Sequence, residues 1–108
     1  MHSKELKKVA DDFLREITDK LELLPFSELK TWPEWPESPD FELDVPEVLD
    51  KYSFGIMKDT QSDQSVRIAV QRYRPYILGI GEMTADGFFA HSDGSKRRFS
   101  QKDIWEVT

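Results

Sequence analysis

Four prolines within fifteen residues, Pro25, Pro33, Pro36 and Pro39, are the strongest constraint in this chain. Proline fixes φ and carries no N–H, so it is kept out of helix interiors and central strands. Residues 25–44 are therefore expected to run extended, partly as polyproline II, and to strap together what lies on either side of them. Polyproline II repeats every three residues, which puts Trp32 and Trp35 on the same side. Those indoles either pack on the domain or, with Glu34 and Glu37, offer an aromatic and acidic segment to a partner.

Ahead of the strap, residues 1–24 read as one amphipathic helix capped by Ser3. Leu6, Ala10, Phe13, Leu14, Ile17, Leu21 and Leu24 fall on one face, with Lys8, Asp12, Arg15, Asp19 and Glu22 opposite. Pro25 ends it, because the residue before a proline is pushed out of the α region. The polar face is not rich in Lys and Arg, which favours a helix that covers a core over one that lies on a membrane. Beyond the strap, Asp44 is placed to cap a short helix over residues 45–52, with Pro46 in its first turn and Val48, Leu49 and Tyr52 turned inward.

Residues 54–107 have the pattern of an antiparallel meander. Phe54 to Met57 is a first short strand and Asp59 to Ser65 a polar loop. Val66, Ile68 and Val70 then alternate with Arg67, Ala69 and Gln71, the period of a half-buried strand. The alternation breaks at Arg72-Tyr73-Arg74-Pro75-Tyr76, where the proline marks a turn or an edge bulge. Tyr76 to Met83 is apolar on both faces and is expected at the centre of the sheet. Ala85-Asp-Gly-Phe88 and Ser92-Asp-Gly-Ser95 each carry the Asp-Gly signal of a tight hairpin. Lys96 to Phe99 follows as a strand, Ser100 to Asp103 as one helical turn, and Ile104 to Val107 as the last strand.

Helices followed by about five short antiparallel strands define the α+β class, in one domain spanning residues 1–108. The element order resembles cystatin-like folds, in which a bent antiparallel sheet wraps an N-terminal helix. An SH3-like small barrel over residues 66–107 is the alternative. The likeness is one of order alone and implies no activity.

A net charge of -6 argues against nucleic acid and against a membrane surface as general partners. Its distribution says more. Residues 31–50 hold Glu34, Glu37, Asp40, Glu42, Asp44, Glu47 and Asp50 and no base, whereas bases outnumber acids from residue 65 onward. The bases of the sheet are expected to answer the acidic strap, within the molecule or across a dimer. Arg72, Tyr73, Arg74 and Tyr76, joined by Lys96, Arg97 and Arg98, also suit single-stranded nucleic acid. With no cysteine and no apolar leader, the cytoplasm, and a bacterial one, is the expected setting.

No catalytic set assembles from the motifs. His91, Ser92 and Asp93 adjoin in sequence, but a triad converges from separate elements. Asp59, Gln61 and Asp63 imitate an EF-hand, yet Gln64 stands where glycine is needed and Val70 where the bidentate glutamate belongs. Neither metal nor cofactor is expected. Glu82 is the least expected acid, set in the most apolar stretch, and Arg72 and Arg74 are its natural cross-strand partners. The reading is a non-enzymatic interaction or regulatory module, of inhibitor or immunity type, that binds another protein or itself. Its candidate surface is Trp32, Glu34, Trp35, Glu37, Arg72, Tyr73, Arg74 and Tyr76. The rival is a small-ligand or enzymatic domain whose pocket, between helix and sheet, is lined by Tyr73, Tyr76, Glu82, Phe88, Phe89 and His91.

Overall fold

A computed structural model describes residues 3–76, 79 and 81–108. The amphipathic stripe forms helix α1, Ser3–Glu22, and a single turn α2, Phe26–Leu29, begins just after Pro25. The strap therefore opens with a helical turn, which Pro25 permits because its missing N–H falls where no intrahelical partner exists. Four antiparallel strands follow: β1 Ser53–Thr60, β2 Val66–Pro75, β3 Gly81–Ala90 and β4 Lys96–Arg98. They lie in the order β1-β2-β3-β4, an open meander with β1 and β4 at its edges. Helix α3, Gln101–Glu106, closes the described chain.

Residues of even number on the strands face α1. Leu14, Ile17 and Leu21 pack there against Ile56, Val66, Ile68, Val70, Phe88 and Ala90. Each large apolar side chain so buried stabilises the fold by about 1.5–3 kcal/mol before entropy is counted. The other sheet face is covered at one end by α3, where Met57, Ala69, Ala85 and Val107 cluster with Phe99 and Ile104. Gln71 Nε2 donates to the Val107 carbonyl at 2.6 Å and ties down the C-terminus.

Several expectations are corrected. Among the described residues there are four strands rather than five, in an open sheet and not a closed barrel over 66–107. Residues 104–107 continue a helix instead of making a strand. Ser100 and Asp103 build a reciprocal capping box, which nucleates α3 and carries it to Glu106. Over 45–52 only a 3-10 turn forms, Glu47–Leu49; it begins after Pro46 with no side-chain cap, so Asp44 does not cap it. β1 runs to Thr60, which takes Asp59 and Thr60 out of the expected loop. β2 and β3 are the inner strands; of Tyr76 to Met83, residues 81–83 begin β3 and pair with β2 alone, at an open edge rather than at the centre. Tyr76 is exposed beyond β2, while Ile77, Leu78 and Ile80 lie outside the described residues.

The first Asp-Gly pair makes no turn. Asp86 and Gly87 sit inside β3, in unbroken register with Val70 and Ala69. Gly87 is needed for close approach: a Cβ there would stand 2.2 Å from the Ile68 carbonyl oxygen and 2.6 Å from the Phe99 ring. The second pair does turn. Its connection, His91–Ser95, matches the β1–β2 connection, Gln61–Ser65, bond for bond. In each the first residue donates to the fifth residue's carbonyl, at 2.9 and 2.8 Å, and the fourth residue donates back to the first, at 2.9 Å in both. In each an aspartate Oδ1 accepts from the N–H and hydroxyl of the closing serine. The fourth residue has positive φ in both, 90° at Gly94 and 72° at Gln64. A side chain in that region costs about 1–2 kcal/mol, partly offset by the greater freedom of an unfolded glycine. Gln64→Gly should therefore raise stability by about 0.5–1 kcal/mol in urea titration.

Candidate functional site

The half of the α1-facing sheet surface farther from these turns is polar. Arg72, Glu82, Thr84 and Asp86 share that face, and β4 adds Arg98 beside Phe88. Together with Lys7, Asp11, Leu14 and Arg15 of α1, and Ile104 of α3, they line a groove of about 820 Å³. Volumes of roughly 300–1,000 Å³ are typical of ligand-sized clefts.

Two arginines organise it. Arg72 is 1% exposed, the largest fully buried side chain of the described residues. Its Nη2 lies 2.9 Å from Asp11 Oδ1 and 3.1 Å from Glu82 Oε1, and the guanidinium stands 5.2 Å from the Tyr52 ring centre. Its Nε and Nη1 are buried with no hydrogen-bond partner. Glu82 also lies 3.6 Å from Lys7 Nζ. Arg98, at the other end, is held by three carboxylates, Asp19 at 2.7 Å, Glu22 at 2.8 Å and Asp86 at 2.7 Å. Burial works against its charge, and those three acids more than compensate.

From residue 65 onward the bases of the sheet thus answer α1, α3 and the sheet itself, and the sheet base that answers the strap is Lys58 of β1. Arg67 pairs with Asp59, and Arg97 with Asp103. Of the strap acids, Glu34 is ion-paired, to Lys58, while Glu37, Asp40, Glu42, Asp44, Glu47 and Asp50 are exposed. Nor do Arg72, Arg74 and Lys96 to Arg98 make one patch. β3 separates β2 from β4, Arg97 faces away from Arg98, and Arg74 is stacked between Tyr52 and Tyr76, 5.4 and 5.2 Å from their ring centres.

The strap docks along the edge of β1. Lys58, with its side chain 3% exposed, points out of the strand and donates to the Lys30 carbonyl at 3.1 Å and the Trp32 carbonyl at 3.0 Å. Trp35 N–H donates to the Lys58 carbonyl at 2.8 Å, and Thr60 N–H to Glu34 Oε1 at 2.7 Å. Phe41, Leu43 and Val45 then pack inward while Asp40, Glu42 and Asp44 alternate outward. The two indoles are separated. Trp32 is half-buried against Phe41, and Trp35 is 63% exposed.

The expected interaction surface is therefore split. Trp35, Glu34 and Glu37 stay outside near Lys58, Arg72 is interior, and Tyr73 and Tyr76 are exposed at the far end of β2. Of the expected pocket lining, Glu82 reaches the groove. Phe88 is core beneath α1, Phe89 packs on the opposite face with Phe99 and under Arg97, and His91 sits at the hairpin end near Asp63 and Asp93. Lys7, Asp11 and Arg15 were not foreseen at the groove, and Asp19 and Glu22 were placed on the solvent face. A polar residue flanking an apolar stripe by one helical step is the signal that marks such positions. Lys58, on the same strand face as Phe54 and Ile56, had a readable signal of its own.

Among the described residues no group of His, Asp and Glu could hold a metal ion, and no described helix is long and apolar enough to cross a membrane. Five carboxyls ionise below the ordinary range. Hydrogen bonds lower Asp12 (from Lys8), Asp63 (from Ser65), Asp93 (from Ser95) and Asp103 (from the Ser100 N–H). At Glu34, burial opposes ionisation but is outweighed by Lys58 and Thr60. Lowered folded values add stability that is complete above the unfolded pKa, about 4, and is lost as pH falls through the folded values. Urea midpoints followed by tryptophan fluorescence should therefore hold down to about pH 5 and fall steadily below about pH 4. Compared with protein-family models, with curated proteins and with solved structures, the chain matches none of them.

Proposed function

We propose that this chain is a non-enzymatic interaction or regulatory module, cytoplasmic and of inhibitor or immunity type, which binds another protein through the outer face of its strap. The observation that carries this reading is Trp35. Its indole is 63% exposed although its own N–H and the neighbouring Glu34 are fastened to β1. An indole fixed in the open gives contact area at little entropic cost, and tryptophan is enriched at binding hot spots. Exposed Glu37, Asp40, Glu42 and Asp44, with no base between residues 31 and 50, favour a basic partner surface. The cystatin-like order is kept as a proposal, supported by a helix that precedes and covers a meander.

Trp35→Ala should weaken capture of the partner from the native host about 30-fold, a hot-spot loss near 2 kcal/mol, while urea stability moves by less than about 0.5 kcal/mol. Equal recovery by the variant would refute the strap as the binding face. The small-ligand reading has one observation in its favour, the groove with Glu82 in its wall.

A further inference from the structure

The two edges of the sheet are finished differently. The strap covers β1 where Trp35 and Glu34 take up the Lys58 carbonyl and the Thr60 N–H. At the other side β4 pairs only with Phe88, Phe89 and Ala90. One more bond, from Phe99 N–H to the Gly87 carbonyl at 3.0 Å, extends the ladder before the chain turns into α3. β3 continues for six residues past that point, Gly81 to Asp86, paired to β2 alone. Backbone groups alternate in direction along a strand. Since the Gly87 carbonyl points toward β4, the N–H and carbonyl groups of Ala85 and Met83 point the same way, into the groove. Gly87 N–H also points there, and it is satisfied by its neighbour, Asp86 Oδ1, at 2.9 Å.

We propose that the Gly81–Asp86 edge of β3 receives an extended segment of a partner protein as an added strand, with an acidic side chain of that segment seated on Arg72. Strand addition draws its affinity from main-chain hydrogen bonds and its specificity from alternate side chains. The register names the position. Thr84 lies directly across from Arg72 on the α1 face, so a residue paired with Thr84 from the open side stands in the same row. Arg72 lines the groove wall next to Thr84, which is short and half-buried. Arg72 has two N–H-bearing nitrogens, Nε and Nη1, buried and without partners, and such groups are costly unless an acceptor arrives. With Lys7, Arg15 and Arg98 set against Asp11, Glu82 and Asp86, the groove lining including Arg72 carries one net positive charge. On the opposite side of the added strand, Met83, Ala85 and Ile104 present an apolar strip. A second copy of this chain fits less well. Antiparallel β3–β3 pairing centred on Thr84 would oppose Glu82 to Asp86 twice, like charge against like.

The test uses the intact protein, labelled with 15N, and two blocked heptapeptides, VTVEVTV and VTVKVTV, whose valines fall on the Met83 and Ala85 side. The glutamate peptide should protect the Met83 and Ala85 amides from exchange and bind at least about tenfold tighter than the lysine peptide, as a charge-assisted contact predicts. That preference should vanish in Arg72→Met. Met83→Pro removes a donor that faces the open side and not β2, so it should abolish binding while leaving the circular dichroism unchanged. Equal binding of the two peptides, or shifts at Arg72 without protection of Met83 and Ala85, overturns the proposal. So does a dimer in sedimentation that Met83→Pro dissolves, which would assign the edge to a second copy. None of these readings depends on Trp35, so failure here and failure of the strap reading are distinguishable.

Discussion

Arg72→Ala should lower the unfolding free energy by about 3–4 kcal/mol, among the largest losses open to a single substitution in this chain. Two causes add. Removing the largest fully buried side chain leaves a void between β2 and α1, and it strips Asp11 and Glu82 of the cation that both contact. Arg72→Met separates these causes. Methionine refills much of the volume, and Asp11 and Glu82 remain open enough to be hydrated. Two buried nitrogens that lack acceptors disappear with the guanidinium. Methionine still leaves the two acids without their cation, but because they can hydrate, it should cost about 1–2 kcal/mol in urea titration, less than alanine by the cost of the void. Equal losses for Ala and Met would show that the charge, rather than the volume, holds the helix to the sheet.

Lys58→Ala should cost about 3 kcal/mol and act on one segment first. The ammonium gathers the Lys30 and Trp32 carbonyls and the Glu34 carboxylate at a site from which water is nearly excluded. Its loss orphans the two carbonyls as well as the acid. The strap should then lift from β1 before the rest unfolds. Limited proteolysis between residues 30 and 44, together with a red shift of Trp32 emission below the global transition, measures this. Glu34→Gln is the control. Glu34 is half exposed, and such pairs contribute about 0–1 kcal/mol. A single cooperative transition for Lys58→Ala, with no early cleavage, would mean that the strap is held by Phe41 and Leu43 instead.

The helix and the first half of the sheet were legible because hydrophobic period settles them. α1 follows from its stripe, and β2 from the alternation of Val66, Ile68 and Val70. Glu82 and Arg72 were readable as partners from their types alone. What escaped was whatever a distant atom decides. Asp86-Gly87 and Asp93-Gly94 are the same dipeptide, yet the Ile68 carbonyl makes one a strand and the Ser95 cap makes the other a turn. Ile104, Trp105 and Val107 are strand-favouring types, but the Ser100–Asp103 box commits those residues to a helix. Arginine by type belongs to the surface, and Arg72 is buried. Its burial depends on Asp11, sixty-one positions earlier in the chain, on a flank of the helix that the apolar stripe did not assign.

The sequential order β1-β2-β3-β4 bears on how the chain finds its shape. Consecutive strands are neighbours in the sheet, and the β1–β2 and β3–β4 turns are built alike, so pairing within the sheet encloses only short stretches of chain. Helix α1 is different. Its grip on Arg98, through Asp19 and Glu22, reaches across 79 and 76 positions of the chain. Loop-closure entropy grows with the length enclosed, and non-local contacts slow folding. The meander is thus the element that forms on local information, and docking of α1 is the late step. Until it occurs, the apolar face of Ile56, Ile68, Val70 and Phe88 stands uncovered, and the hazard of aggregation is concentrated in that interval.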